Sequence, residues 1–352
     1  MISLLVVNYR SARLAVDAVR TARAATSHGL QVVIVDNSVD PAEAEALRAA
    51  GADALILSTT NRGYAGAIND GRKACRGEVI VVSNPDVAFG EASIDRLAEA
   101  LDARTAVSGP ALCWDDAQRW FLPPADVHSA WEAFDAALAS RWPAWFGQRD
   151  RRRFHRRVAF WMLERTTAVD ALSGAVMAIR AADFDALGGF DERFALYFEE
   201  TDFLRRAREA GRRVAYVPAA RCRHLYNQSA AQTGGEAAAQ YARSESRYLE
   251  KWNGPFVARA IKSFERPAPA DGRFEEIDGP IVVDRPLECV VEASPLPTFV
   301  TAAGTFPEGA AVDLPPEVLS SYRGTEVFLR VVERSSGRVI GRYVRRISAA
   351  GG

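Results

Sequence analysis

Cysteine, net charge and long apolar runs are all scarce in this sequence. The four cysteines, Cys75, Cys113, Cys222 and Cys289, stand far apart in 352 residues, and no two form a C-x-x-C pair. That spacing argues against a disulfide frame or a thiolate zinc site and suits reduced thiols in a cytosolic protein. Lys and Arg number 44 against 45 Asp and Glu, a formal net charge of -1, so no global field draws the chain to nucleic acid or acidic lipid. No stretch approaches the roughly 20 apolar residues of a membrane span. The opening MISLLVVNYR holds an apolar run too short for a signal peptide, with no basic residue ahead of it. Membrane contact, on this reading, is peripheral. What is present is the makeup of a soluble globular protein, 48% apolar and 25% charged, long enough for one large domain and a smaller one.

The first hundred residues alternate. ISLLVVN, QVVIVDN, ALILST and EVIVVSN are short apolar runs of buried-strand type. ARLAVDAVRTARAA, PAEAEALRAAG, AGAINDGRKAC and ASIDRLAEALD between and after them have helical spacing. Strands buried on both faces and separated by helices predict an α/β fold with a doubly wound, mostly parallel sheet. Ligands of such sheets bind beyond the carboxyl ends of the strands. Those ends carry Asn8, Asp36 with Asn37, and Asn84 with Asp86. Each of these also suits a helix cap or a turn.

From about 115 to 168 the periodicity weakens in a Trp-, Pro- and Arg-rich stretch. Order resumes at AVDALSGAVMAIRAADFDALGGFDERF, and the helix EAAAQYARSESRYLEKW closes the first domain. Domain boundaries are expected at 1–262, a Pro-rich linker at 263–273, and a small all-β, sandwich-like domain at 274–352, where β-type runs are punctuated by Pro and Gly. That second domain has three readings: acceptor-glycan binding, homodimerisation, or packing on the first domain.

Five pieces occur in order: VVNYR, VIVDNSVD, NRGYAGAINDG, VVSNPDVAF and GGFDERFALYFEETDFLRRAREAGRRVAYVPAARCRH. Together they resemble the inverting family 2 glycosyltransferases of the GT-A nucleotide-diphospho-sugar transferase fold, and within them the rhamnosyltransferase-like branch that builds bacterial surface polysaccharides. The resemblance covers roughly residues 1–255. It implies a nucleoside-diphosphate sugar donor, dTDP-L-rhamnose first, with dTDP or UDP as the nucleotide. It implies a glycan or lipid-linked acceptor, and a cytoplasmic location with contact at the inner face of the membrane. A Mg²⁺ or Mn²⁺ ion would stabilise the leaving diphosphate. Asp86 stands at the family's Asp-x-Asp motif, whose first Asp is here Asn84, and His224 matches the downstream histidine that reaches metal or diphosphate. A strand-end histidine with a structural hydrogen bond is the plainer reading of His224. Asp36 matches the acid that accepts from the N3–H of uracil or thymine, with Asn8, Asn37 and Asp40 around it. Arg62 and Asn69 match positions near base, ribose or phosphates, where Gly63 and Gly66 permit close backbone approach. Asp170, Ser173 and Gly174 fall on the acceptor side, against the alternative of a plain edge strand with a tight Gly.

ALYFEETDFLRRAREAG crowds Glu199, Glu200 and Asp202 behind Tyr197 and Phe198. A helix start explains acids in a first turn. The family reads Glu-Asp-x-Asp here, with the Asp of the pair as general base. That position is Glu200, one methylene longer, with Glu199 as the alternative base. Arg205 joins the acceptor-side set, where with Asp202 it orients the carboxylates. Finally, six arginines between 149 and 157 stand among aromatics. A solvated helix face is the common explanation; in light of the resemblance, a lipid diphosphate or the membrane carrying it is the expected partner. Near-neutral charge argues against nucleic acid. Two other classes compete with this reading. A sugar nucleotidyltransferase needs a Gly-rich basic loop after strand one, which VVNYRSARLAV lacks. A non-catalytic nucleotide- or sugar-binding protein with a decayed site would account for Asn84 and Glu200.

Overall fold

The structure is a computed structural model and describes residues 1–225, 235–266 and 272–347. Its first half alternates strand and helix: β1 (Ile2–Asn8), α1 (Ala12–Ala24), β2 (Leu30–Asp36), α2 (Pro41–Arg48), β3 (Ala54–Leu57), α3 (Gly63–Arg72), β4 (Val79–Ser83), β5 (Val87–Phe89), α4 (Ser93–Glu99) and β6 (Thr105–Cys113). After α5 (Ala130–Ala139) and α6 (Pro143–Trp161) come β7 (Thr167–Ala168), β8 (Val176–Arg180), α7 (Ala181–Ala186), α8 (Glu199–Glu209) and β9 (Arg213–His224). The main sheet has the order β3-β2-β1-β4-β8-β6-β9-β5, with β7 on β9. β1 pairs in parallel with β2 and β4, whereas β8 is antiparallel to both its neighbours, β4 and β6. The segment before α7 therefore lies in the middle of the sheet, not at its edge.

The apolar strands follow from burial on both faces. Successive residues of a strand point to opposite sides. Leu4 and Val6 join Ala15 and Val19 of α1 on one face, while Leu5 and Val7 join Ala65 and Ile68 of α3 on the other. A run with no polar alternation is what such a position requires.

Beyond the sheet, α9 (Gly235–Asn253) is followed at once by α10 (Pro255–Phe264), so helix continues into the stretch expected as linker. Residues 267–271 of that linker lie outside the described residues. Next come β10 (Glu275–Glu276), β11 (Ile281–Val282), β12 (Cys289–Ser294), β13 (Ala303–Thr305), β14 (Ala311–Val312), the short helix α11 (Pro316–Ser321), β15 (Glu326–Glu333) and β16 (Val339–Arg346). They form a separate sheet, β10-β16-β15-β12-β13, and a two-stranded ribbon, β11-β14. Helix α11 and a 3-10 turn at Pro286–Glu288 thus interrupt a chain region expected to be all β.

The stretch 115–168 holds two full helices, and arginine masks the periodicity of the second, α6. Trp114, Trp120 and Leu122 share one core with Val291, Leu329 and Val331 of the second sheet. Phe154, Val158 and Trp161 of α6 share another with Val290 and Val332. Five of the six arginines in 149–157 are paired inside the molecule. Arg149 meets Glu132 and Asp135, Arg152 meets Asp135, Arg153 meets Asp126, Arg156 meets Glu132, and Arg157 meets Glu292. Most of the run's charge is therefore engaged with carboxylates from neighbouring elements, while the Arg152 and Arg156 side chains stay about half exposed, 49% and 54%. Glu292 is fully buried and receives Arg157 Nε and Arg330 Nε, both at 2.7 Å; Arg330 also grips Asp150 at 2.7 and 3.0 Å. Burial raises the Glu292 pKa, but the two guanidiniums outweigh it and leave the carboxyl below its usual range.

Removing one partner of a buried ion pair leaves an uncompensated charge. Glu292→Ala is expected to cost about 3–5 kcal/mol, read by chemical denaturation. A cost within experimental error would mean that this network does not hold the second sheet to α6.

Candidate active site

A cleft of about 850 Å³ opens at the carboxyl ends of β1, β2 and β4. Among the residues expected from sequence, it brings together Asn37, Asn84, Ser173, Gly174, Glu199, Glu200 and His224. It also gathers Tyr64, Asn61, Tyr197, Gln240 and Arg243, which the sequence reading did not select. Tyr64 sits inside the quoted NRGYAGAIND motif and could have been found there. Gln240 and Arg243 come from α9, far along the chain, and no local pattern marks them.

The acids are placed by strain. Tyr197 and Phe198 both lie in the left-handed region, φ 66° and 71°, and Phe198 is the residue before α8. Each such non-glycine residue costs of order 1–3 kcal/mol and persists only where packing enforces it. Enforcement here is aromatic. His128 from the insert stacks 4.5 Å from Phe198, and Tyr241 and Tyr248 of α9 lie at 5.2 and 5.4 Å. The sharp entry turns the first two helical residues, Glu199 and Glu200, into the cleft.

Asp202 turns the other way. It is fully buried and receives Arg206 Nε at 2.8 Å, Lys251 Nζ at 2.6 Å and the Trp252 indole N–H at 2.9 Å. Arg205 stacks over Trp252 at 4.2 Å and pairs with Glu209. These two residues fasten α9 to α8 and do not line the cleft.

Glu199 is buried and Glu200 half-buried, and one carboxylate oxygen of each, Oε2, has no hydrogen-bond partner. A helix start favours anions by up to about 1 kcal/mol at exposed sites. Desolvation wins over that here. Burial pushes both pKa values up, and for Glu199 the adjacent Glu200 adds to it. Tyr64 is half-buried beside them, its hydroxyl 3.4 Å from the Gly174 carbonyl oxygen. Burial first, then Glu199, Glu200 and Asp86, hold that phenol well above its ordinary value. Gly174 is tight against the acid, since a Cβ there would come 3.1 Å from Glu200 Cγ. Gly63, at φ 69°, has its Cα against Ala195, and a Cβ would fall 2.6 Å from that carbonyl oxygen.

Strand pairing assembles the remaining pair. β5 runs against β9 with Val87 opposite His224, which sets Asp86 Oδ1 3.3 Å from His224 Nε2. Burial raises the Asp86 pKa, but His224, by charge and by hydrogen bond, brings it below the usual carboxylate range. One carboxylate and one imidazole suit Mg²⁺ or Mn²⁺ when water and ligand oxygens complete the shell. Among the described residues no cluster of three ligating side chains forms; Asp86 and His224 are the two here that could contribute ligands to a cation.

Other expected residues lie beside or beneath the cleft. Asn8 and Asp36 are buried under its floor in one network: the Asn8 amide donates to Asp36, Ser38 and Glu43 at 3.0, 3.2 and 2.9 Å. Asn37 holds the 61–63 turn through Asn61 and the Gly63 carbonyl. Asp40 is exposed and caps α2. Arg62 pairs with Glu192, and Asn69 clamps both backbone groups of Phe190. Asp170 lies away from the cleft, paired with Arg208.

A family model described as "Glycosyltransferase like family 2" matches residues 1–247. The chain belongs to glycosyltransferase family 2. Two curated relatives are rhamnosyltransferases. N-acetylglucosaminyl-diphospho-decaprenol L-rhamnosyltransferase of Mycobacterium tuberculosis is 28% identical over 218 residues, 57% of this chain and 68% of its own. Rhamnosyltransferase WbbL of Escherichia coli is 33% identical over 85 residues, 24% of this chain and 32% of its own. Among solved structures, the mannosyltransferase PcManGT from Pyrobaculum calidifontis, in complex with GDP-Man and Mn²⁺, aligns with TM-score 0.45 at 15% identity, over 75% of this chain and 73% of that one. The family 2 match ends within α9, so it contains the whole main sheet, the Glu199–Glu200 helix start and the Asp86–His224 pair. The sheet, with β8, β5 and β7 running against the other strands, helices on both faces and the cleft at the strand ends, is the GT-A arrangement anticipated from sequence.

The raised carboxyls make this glycosyltransferase family 2 chain less stable than it would otherwise be. Their folded pKa values lie above the unfolded ones, so the native state is penalised as pH rises from the unfolded value toward the folded value. A Glu199→Gln, Glu200→Gln double variant is expected to melt higher than the parent at pH 8, with the gain shrinking as pH falls toward about 4 and absent below it. Equal melting temperatures across that range would show that the two acids are not desolvated.

Proposed function

We propose that the protein is an inverting, cation-assisted glycosyltransferase that moves a sugar, L-rhamnose first, from a nucleoside-diphosphate donor to a hydroxyl of a glycan or lipid-linked acceptor in surface polysaccharide synthesis. The observation that carries this reading is the pair of dry, unpartnered carboxylate oxygens of Glu199 and Glu200 facing the cleft beside Asp86 and His224. Glu200 is the general base, being the more open of the two, with Glu199 raising its proton affinity. It takes the proton of the acceptor hydroxyl while that oxygen attacks the anomeric carbon. The bond from that carbon to the diphosphate breaks on the opposite face, and the configuration inverts. A cation held by Asp86 and His224 would neutralise charge building on the leaving diphosphate. The nucleoside is read at the β1–β2 end, over the Asn8–Asp36 floor and Asn37, with dTDP first and UDP second. Residues 1–262 form the transferase unit in this reading, joined through 263–273 to a β-rich unit at 274–352 that braces the insert. The work is done in the cytoplasm at the inner face of the membrane. No helix among the described residues is long and apolar enough to cross a bilayer.

The test is release of nucleoside diphosphate from a panel of nucleotide sugars with Mg²⁺ or Mn²⁺ and a polyprenyl-diphosphate or glycan acceptor. One donor is expected to turn over. Glu200→Gln is expected to lower kcat by about 10²–10⁴-fold, and Asp86→Ala to abolish the response to added cation. Loss confined to Glu199→Gln would move the base by one residue. Tight dTDP or UDP binding with no turnover from any donor would favour a non-catalytic binding protein, the reading to which Asn84 and Glu200 lend weight.

A further inference from the structure

The surface of α5 and α10 carries more exposed aromatic area than any active-site role explains. Phe256 is 83% exposed, Trp131 63%, Trp142 52% and Phe264 42%. Phe256, Ala260 and Phe264 recur every four residues and so line one side of α10, all exposed, while Ala258 and Ile261 face inward onto Leu249. The rings of Trp131, Phe134 and Phe264 follow one another at 6.1 and 6.4 Å. Cations are interleaved with them. The Arg141 guanidinium covers Phe264 at 5.2 Å and bonds its carbonyl oxygen at 2.9 Å, and Arg259 and Arg266 are exposed on the same segment. From 255 to 266 the chain carries Arg259, Lys262 and Arg266 against Glu265 alone, in a protein whose net charge is -1. The patch is also joined to the cleft: Lys262 pairs with Glu245 of α9, the helix that supplies Gln240 and Arg243 to the cleft wall.

We infer that this face, and not the arginine run of α6, docks the protein on an anionic phospholipid bilayer. Exposed Trp and Phe on a helix flanked by basic residues match the chemistry of the membrane interface, where rings enter the headgroup layer and cations meet lipid phosphates. Five of the six α6 arginines are engaged with carboxylates of the protein, whereas Arg259 and Arg266 stand exposed beside open apolar surface. The inference deepens the lipid-linked acceptor reading, since docking here would bring a lipid-borne hydroxyl to the α9 side of the cleft.

The test is flotation of the full chain with vesicles of phosphatidylcholine alone or mixed with phosphatidylglycerol, with no acceptor or donor present. Wild type is expected to float with the anionic vesicles, and Phe256→Asp and Arg259→Glu each to reduce the floating fraction about tenfold. Arg152→Ala is expected to float like wild type. Failure of wild type to float, or flotation unchanged in both variants, overturns the inference, as does a dimer that Phe256→Asp splits without any vesicle binding. Turnover with a short-chain, water-soluble acceptor is run in parallel. Flotation without turnover on any acceptor leaves the docking face standing and sinks the transferase reading. Turnover without flotation does the reverse.

Discussion

Asp202 is the ion-pair hub on which the site depends. With no exposure to water, its carboxylate must be matched by cations or donors from the protein, and it takes one from its own helix, Arg206, and two from α9, Lys251 and Trp252. That match locks α8 against α9. It leaves Tyr241 and Tyr248 in place to hold Phe198 in a left-handed turn, and the turn in turn aims Glu199 and Glu200 at the cleft. A short acid-rich motif thereby divides its labour. One acid is satisfied and structural, and two are unsatisfied and available for chemistry.

The same logic runs through the insert at larger scale. Buried guanidiniums of α6 are matched by Asp135, Asp126 and Glu292, and Glu292 belongs to the second sheet. The second sheet is thus joined to the first unit through charge as well as through the Trp114, Trp120 and Trp161 cores. Because His128, which packs on Phe198, sits in the same insert, the C-terminal sheet supports the Tyr197–Phe198 turn indirectly. This gives that sheet a bracing role without requiring it to touch substrate.

Much of this was legible in the linear text. Continuous apolar runs at β1, β2 and β4 left no alternative to burial on both faces, so the parallel sheet followed, and with it the location of a cleft at Asn37 and Asn84. The acid cluster was legible as a helix start. Three things were hidden. The antiparallel β8 sits centrally because strand order depends on long-range pairing that no local pattern encodes. The α6 helix read as irregular because arginine occupied positions that period-based reasoning reserves for apolar side chains. The partners of Asn69, Asp170 and Arg205 lie 121, 38 and 47 residues away, so clamps and stacking residues carried the same letters as ligand contacts.

What the sequence by itself determined is the chemistry available: alternating elements, a family 2 order of motifs, and carboxylates at strand and helix ends. Local periodicity and backbone preference suffice for that, since they act within a few residues. Only the tertiary structure decided which carboxylates are dry and unpaired and which are consumed by arginine or lysine. Desolvation and ion pairing depend on what the rest of the chain brings within a few ångströms, and side chains identical in sequence separate into unpaired cleft acids, anchors and braces on that distance alone.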